Sequence, residues 1–206
     1  MNSSNQNKHM TKNPIKRYLI DNFNQQLLNV ILDLKPCSIL DAGCGEGYTL
    51  KYIADNYQSS AFHYLRLVGI DNDHQAIACS KNLLQSDIDT DIGDIYECSF
   101  HDNEFDLVLC SEVLEHLDNP RLALLELARV SAKNLIISVP HEPYFRLGNL
   151  LFLNHIKQIG NAPGHINHFN RSQLMALTSG FIANAKIHYA FPWIILYGEV
   201  NNSLGK

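Results

Sequence analysis

Apolar positions along this chain switch repeatedly between a period near 3.6 and short unbroken runs, and that alternation predicts helices and buried strands in turn. Between Pro14 and Pro36, Ile15, Tyr18, Leu19, Phe23, Leu27, Leu28, Ile31 and Leu32 recur at helical spacing, which predicts one helix or two short ones. Ser38-Ile39-Leu40 reads as a first strand, Tyr48 to Tyr57 as a helix, and Leu65 to Ile70 as a second buried strand ending at Asp71. Asp73 has the character of an N-cap for a helix reaching about Gln85, followed by a short strand over Ile88 to Ile92. Phe105 to Ser111 is buried-strand material and Pro120 to Val130 an amphipathic helix. A polar turn at Ser131 to Asn134 precedes a strand over Leu135 to Val139, which Pro140 stops. Arg171 to Ser179 is expected as the last helix, and Phe181 to Ala190 with Trp193 to Val200 as a closing antiparallel pair. Residues 1–13 are polar and without period, so they read as a disordered leader, and 14–206 as a single domain.

The first strand runs straight into Asp41-Ala42-Gly43-Cys44-Gly45-Glu46-Gly47, with three glycines at alternate positions ahead of a helix. Glycines in a strand-to-helix turn let backbone approach a ligand and aim helix-end amides at it. The spacing is G-x-G-x-G. It differs from the G-x-G-x-x-G of dinucleotide sites and lacks the Gly-Lys-Ser/Thr ending of a phosphate loop. An NAD-binding oxidoreductase therefore stands as the weaker rival. Asp71, at the carboxyl end of the second strand, is where an adenosine ribose needs an acceptor for its hydroxyls, with Asn72 beside it and Asp73 a second choice. A surface helix cap is the competing use of such an Asp.

Composition narrows the partners. At 206 residues the length suits one α/β domain. Lys and Arg total 16 against 21 Asp and Glu, a formal net charge of -5, which disfavours nucleic acid as a bulk partner. The five cysteines, Cys37, Cys44, Cys79, Cys98 and Cys110, include no C-x-x-C pair and fit reduced thiols in a cytoplasmic protein. No signal peptide is evident, and no apolar run approaches the roughly 20 residues of a membrane span.

With Asp41 in front, the glycine stretch resembles motif I of the class I S-adenosylmethionine-dependent methyltransferases. The run FDLVLCSEVLEHLDNP, from Phe105 to Pro120, is similar to motif IV and its sequel in the small-molecule branch that includes the ubiquinone-type O-methyltransferases, methyltransferase type 11. The resemblance covers about Pro14 to Val200 and is specific from Ser38 to Pro140. It implies a Rossmann-like fold: a seven-stranded, mostly parallel sheet with an antiparallel last strand and helices on both faces. It implies S-adenosylmethionine as cofactor and a small-molecule acceptor, with oxygen the favoured atom and nitrogen or carbon open. Gly43, Cys44, Gly45 and Gly47 would then approach the cofactor, Asp41 its methionine end and Asp71 its ribose. Asp94 and Ile95 would meet the adenine, with Asp87, Asp89 and Asp91 as rivals in register. Cys110 and Ser111 would line the floor near the methyl. Residues 14–35 become a helical cap, and about 141–170 an insertion on the acceptor side, where His141, Glu142, Tyr144 and Arg146 are further candidates.

Glu112, Glu115 and His116 would share one face if they lay on a helix, being i, i+3 and i, i+4. With His165 and His168 they resemble the E-x-x-E-H and later histidine pair of metal-dependent small-RNA 3'-terminal methyltransferases, so a divalent metal stays open without assigned ligands. The other uses are a metal-free general base at His116, His165 or His168, and plain packing. A non-catalytic domain that keeps the fold is the remaining reading. Oligomeric state is not legible here.

Overall fold

The computed structural model describes residues 11–57, 65–151, 160–162 and 164–201. Most of the expected leader, the polar stretch 58–64 and part of the 141–170 insertion lie outside the described residues. In chain order the elements are α1 (Pro14–Leu34), β1 (Ser38–Ala42), α2 (Tyr48–Asn56), β2 (Arg66–Asp71), α3 (His74–Leu83), β3 (Asp89–Ile92) and β4 (Phe105–Ser111). A 3-10 turn (Leu114–His116), α4 (Pro120–Val130), β5 (Ser131–Pro140), α5 (Tyr144–Leu151), α6 (Arg171–Thr178), β6 (Ile182–Ala190) and β7 (Trp193–Val200) follow.

The seven strands form one sheet in the order β3-β2-β1-β4-β5-β7-β6. Pairing is parallel from β3 across to β5, and β7 enters antiparallel between β5 and β6. This is the expected architecture. The strand order reverses between β1 and β4, so their carboxyl ends part there and leave a crevice. Strands covered on both faces need unbroken apolar runs. Leu107-Val108-Leu109-Cys110 in β4 and Leu135-Ile136-Ile137 in β5 supply them, each wholly buried. Alternate residues feed two cores. One, around Val108, Ile137, Leu124 and Leu174, lies under α4 and α6. The other, around Leu107, Ile136, Phe23, Leu50 and Ile77, lies under α1, α2 and α3.

Several boundaries differ from the sequence expectation, for physical reasons. β1 extends through Ala42 because Asp41 and Ala42 pair with Gly69 and Ile70. The polar turn expected at Ser131 to Asn134 is already strand: Ser131 pairs with Phe105, and a bulge between Phe105 and Leu107 takes up the extra residue. The Ser131 hydroxyl donates to the Asn134 carbonyl at 2.8 Å, which lets polar side chains tolerate that position. α5 emerges from the aromatic stretch after Pro140, where no helix was expected. Residues 112–116 do not form an α-helix: Glu112 has φ +61° and the 3-10 turn begins only at Leu114, so their shared helical face is absent.

Phe105 is fully buried, edge-on to Phe100 with centroids 4.9 Å apart, and the Arg66 guanidinium lies 4.8 Å over its ring. Phe105→Ala should destabilise the protein by about 3–5 kcal/mol through lost burial and the cavity left behind, measured by urea unfolding.

Candidate active site

Besides its own bond from the Gly47 amide to the Cys44 carbonyl, the glycine turn is held by β2. Gly43 and Cys44 both donate their amides to the Ile70 carbonyl, at 2.8 and 2.9 Å, and the Gly45 amide donates to Asp71 Oδ2 at 2.8 Å. Asp71 Oδ1 accepts from the Asp73 amide at 2.9 Å. Each Asp71 oxygen thus keeps a second lone pair for a ligand hydroxyl. Gly43 has φ +86°, and a Cβ there would collide with the Val113 side chain. Gly47, at φ +82°, caps α2, and a Cβ would come within 2.9 Å of Leu84. Both positions therefore admit only glycine without rearrangement.

Asp41 lies beneath this turn with 1% of its surface exposed, and neither carboxylate oxygen has a hydrogen-bond partner. Burial, then the charge of Asp71, push its carboxyl up to about 7. Burial also raises the Cys44 and Cys110 thiols, which keeps both neutral at ordinary pH.

A cavity of about 1010 Å³ opens over the crevice. Asp41, Gly43, Cys44, Gly45, Asp71, Asn72, Ile95 and Ser111 line it, as the sequence led us to expect. Gly47, Asp94 and Cys110 do not: Gly47 faces Leu84, Cys110 is enclosed in the sheet, and the Asp94 carboxylate accepts from the Tyr96 amide at 2.8 Å. Asp94 instead borders a second recess of about 530 Å³ with Asn72 and Gly93.

The far wall comes from the ends of β4 and β7, the 3-10 turn and the two covering helices. Ser111 Oγ lies 2.8 Å from Ser138 Oγ. Glu112 Oε2 accepts from the Trp193 indole at 2.6 Å. Glu115, 1% exposed, turns inward, and His116 Nδ1 lies 2.9 Å from the Gly164 carbonyl. A carbonyl only accepts, so Nδ1 carries a proton, and in the neutral ring the lone pair lies on Nε2. His165 meets His116 edge-on at 4.8 Å and stacks on Phe145 at 5.8 Å. One ligand atom each from Glu115, His116 and His165 fall within 4.8 Å of one another, a donor set chemically able to take a divalent ion. His168 is not among them: its Nε2 pairs with Asn161 Oδ1 at 2.9 Å.

The family described as a methyltransferase domain matches residues 40–137. A probable chloroplastic tocopherol O-methyltransferase of Oryza sativa subsp. japonica is 33% identical over 98 residues, 48% of this chain and 27% of that protein. Ajmaline N-methyltransferase of Rauvolfia serpentina is 30% identical over 110 residues, 51% of this chain and 36% of that protein. Over residues 40–137 the chain is similar to the S-adenosylmethionine-dependent methyltransferases. It matches only about a third of the length of these two relatives. Magnesium protoporphyrin IX methyltransferase from Synechocystis PCC 6803 with bound SAH shares the fold, with a TM-score of 0.67 at 17% identity over 93% of this chain and 89% of that one.

The site fits S-adenosylmethionine on its own geometry. The turn leaves no room for side chains, a buried carboxylate waits without a partner, and Asp71 retains acceptor capacity. The NAD alternative loses its footing, because the family match carries the glycine turn and the β4 run together. Sequence reading missed the individual cavity residues Phe23, Phe145 and Trp193. Periodicity marked Phe23 and Trp193 as core and gave Phe145 no element, and only tertiary packing turns the three to the cavity.

A raised native pKa means that Asp41 favours the fold while protonated and that this contribution is lost as pH rises from about 4 through 7. Asp41→Asn should therefore remove that decline and stabilise the ligand-free protein by on the order of 2–4 kcal/mol at pH 8, with little gain at pH 4, read from urea unfolding at the two pH values.

Proposed function

We infer that this chain transfers a methyl group from S-adenosylmethionine to a nucleophilic atom of a small molecule. The observation carrying the reading is the buried, unpartnered Asp41 beneath a glycine turn whose Gly45 amide is fixed by Asp71. When bound, the cofactor supplies an electrophilic methyl on a sulfonium. Asp41 suits its α-ammonium, Asp71 its ribose hydroxyls, and Ile95 the face of its adenine. Gly43 and Gly45 let the turn come close. Ser111, at the end of β4, faces the cavity where the acceptor must meet the methyl.

The work left to the protein is orientation and proton removal. His116 Nε2 and His165 lie at the acceptor side as candidate bases, and α1 and α5 restrict water. The resemblance to ubiquinone-type enzymes favours an oxygen acceptor, while the relatives named above act, by their names, at oxygen and at nitrogen. A metal-assisted reading retains Glu115, His116 and His165 and loses Glu112 and His168 as ligands.

Calorimetry should show S-adenosylmethionine binding to the purified chain, and Asp71→Ala should weaken it tenfold or more, as expected for lost bonds to a charged acceptor of about 1.5–3 kcal/mol. No heat of binding would reject the assignment. With an accepted substrate, His116→Ala should lower turnover by roughly 10²–10⁴, and a chelator should leave it unchanged if the imidazole works without metal.

A further inference from the structure

The cavity is lopsided in charge. Asp41, Glu46, Asp71, Asp73, Glu112 and Glu115 face it, against Lys16 as the one lysine or arginine in its lining among the described residues. The cofactor contributes one net positive charge, and Asp41 and Asp71 would meet it at the glycine turn. Glu112 and Glu115 lie beyond β4, on the side left for the acceptor.

That side also carries an aromatic wall. Phe23 and Trp193 are 5.2 Å apart between ring centroids, Trp193 and Phe145 6.0 Å, and Phe145 and His165 5.8 Å, and all four border the same cavity. Electron-rich ring faces beside carboxylates, in a recess where the effective dielectric is low, attract an organic cation. They give a hydroxyl acceptor no matching advantage, and they oppose the negative charge that grows on oxygen as it loses its proton.

Resting on the cofactor reading above, we propose that the acceptor is a cationic amine attached to a flat apolar body, bound with its ammonium toward Glu115, His116 and His165 and its body against Phe145 and Trp193. An ammonium has no lone pair, so it must lose a proton before it can attack. The Nδ1 proton of His116 is committed to the Gly164 carbonyl, which leaves Nε2 to receive that proton. Glu115, beside it, is placed to accept from the imidazolium that results. The neutral amine then forms a nitrogen–methyl bond as the carbon–sulfur bond of the sulfonium breaks, the electron pair remaining on sulfur. A methylated ammonium and a neutral thioether leave, and the imidazolium returns its proton to water.

The test is calorimetry with a matched pair of probes, phenethylamine and 2-phenylethanol, on the protein first saturated with S-adenosylhomocysteine at pH 7.5. The amine should bind roughly tenfold or more tightly than the alcohol, as a charge-assisted hydrogen bond implies. Glu115→Gln, nearly isosteric, should shrink that preference severalfold without changing the affinity for S-adenosylhomocysteine. The pair is compared on the unaltered protein as well, so a misfolded variant does not decide the outcome. Equal or tighter binding of the alcohol overturns the proposal, as does a preference that a folded Glu115→Gln variant retains in full. Failure of S-adenosylhomocysteine to bind at all is a separate result, and it removes the cofactor reading together with the amine assignment.

Discussion

One carbonyl and one carboxylate at the end of β2 fix the geometry on which everything else in this protein depends. The Ile70 oxygen takes two successive amides of the glycine turn and Asp71 takes a third. A turn that satisfies its own amides internally would be free to shift with its helix. Here three of its amides are tied to the neighbouring strand, so the glycine loop, Asp71 and the head of α3 are joined by hydrogen bonds. The cost is paid in conformational freedom at Gly43, Gly45 and Gly47, all with positive φ, where only glycine adopts the required backbone readily.

The opposite wall is built differently. The glycine side uses main-chain groups, whereas the far wall uses side chains from parts of the chain far apart in sequence: Phe23 of α1, Glu112 and Glu115 after β4, Phe145 of α5 and Trp193 of β7. Val113 joins the halves, since its side chain fills the space that a Cβ on Gly43 would need. The left-handed backbone at Glu112 turns the chain out of β4, and the bond to Trp193 holds that turn from β7, two strands away. Backbone of this kind at a non-glycine residue is stable only where several contacts impose it.

This division explains what the sequence could disclose. The sheet was legible because unbroken apolar runs such as Phe105 to Cys110 have no other stable use, and the glycine turn because it sits directly against one of them. Asp41, Asp71 and Ile95 were picked out by position at or soon after strand ends, and all three line the cavity. The far wall was not. Glu112, Glu115 and His116 have the spacing of a helical face, yet the exit from β4 breaks the helix, and Glu115 and His116 reach the cavity through a 3-10 turn instead. His165 and His168 carry the same sequence signal, and tertiary packing alone separates them, sending one toward Phe145 and the other to Asn161. The strand at Ser131 to Asn134 was hidden because its polar residues gain a local hydrogen bond and a bulge, neither of which has a sequence period.

Trp193 links these parts, touching α1 through Phe23, α5 through Phe145 and the exit of β4 through Glu112. It is also the single tryptophan of the chain. The molecule therefore carries its own optical probe at the wall of its cavity: indole emission, uncontaminated by a second tryptophan, reports both the hydration of that wall and the loss or retention of the bond to Glu112 as a guest enters.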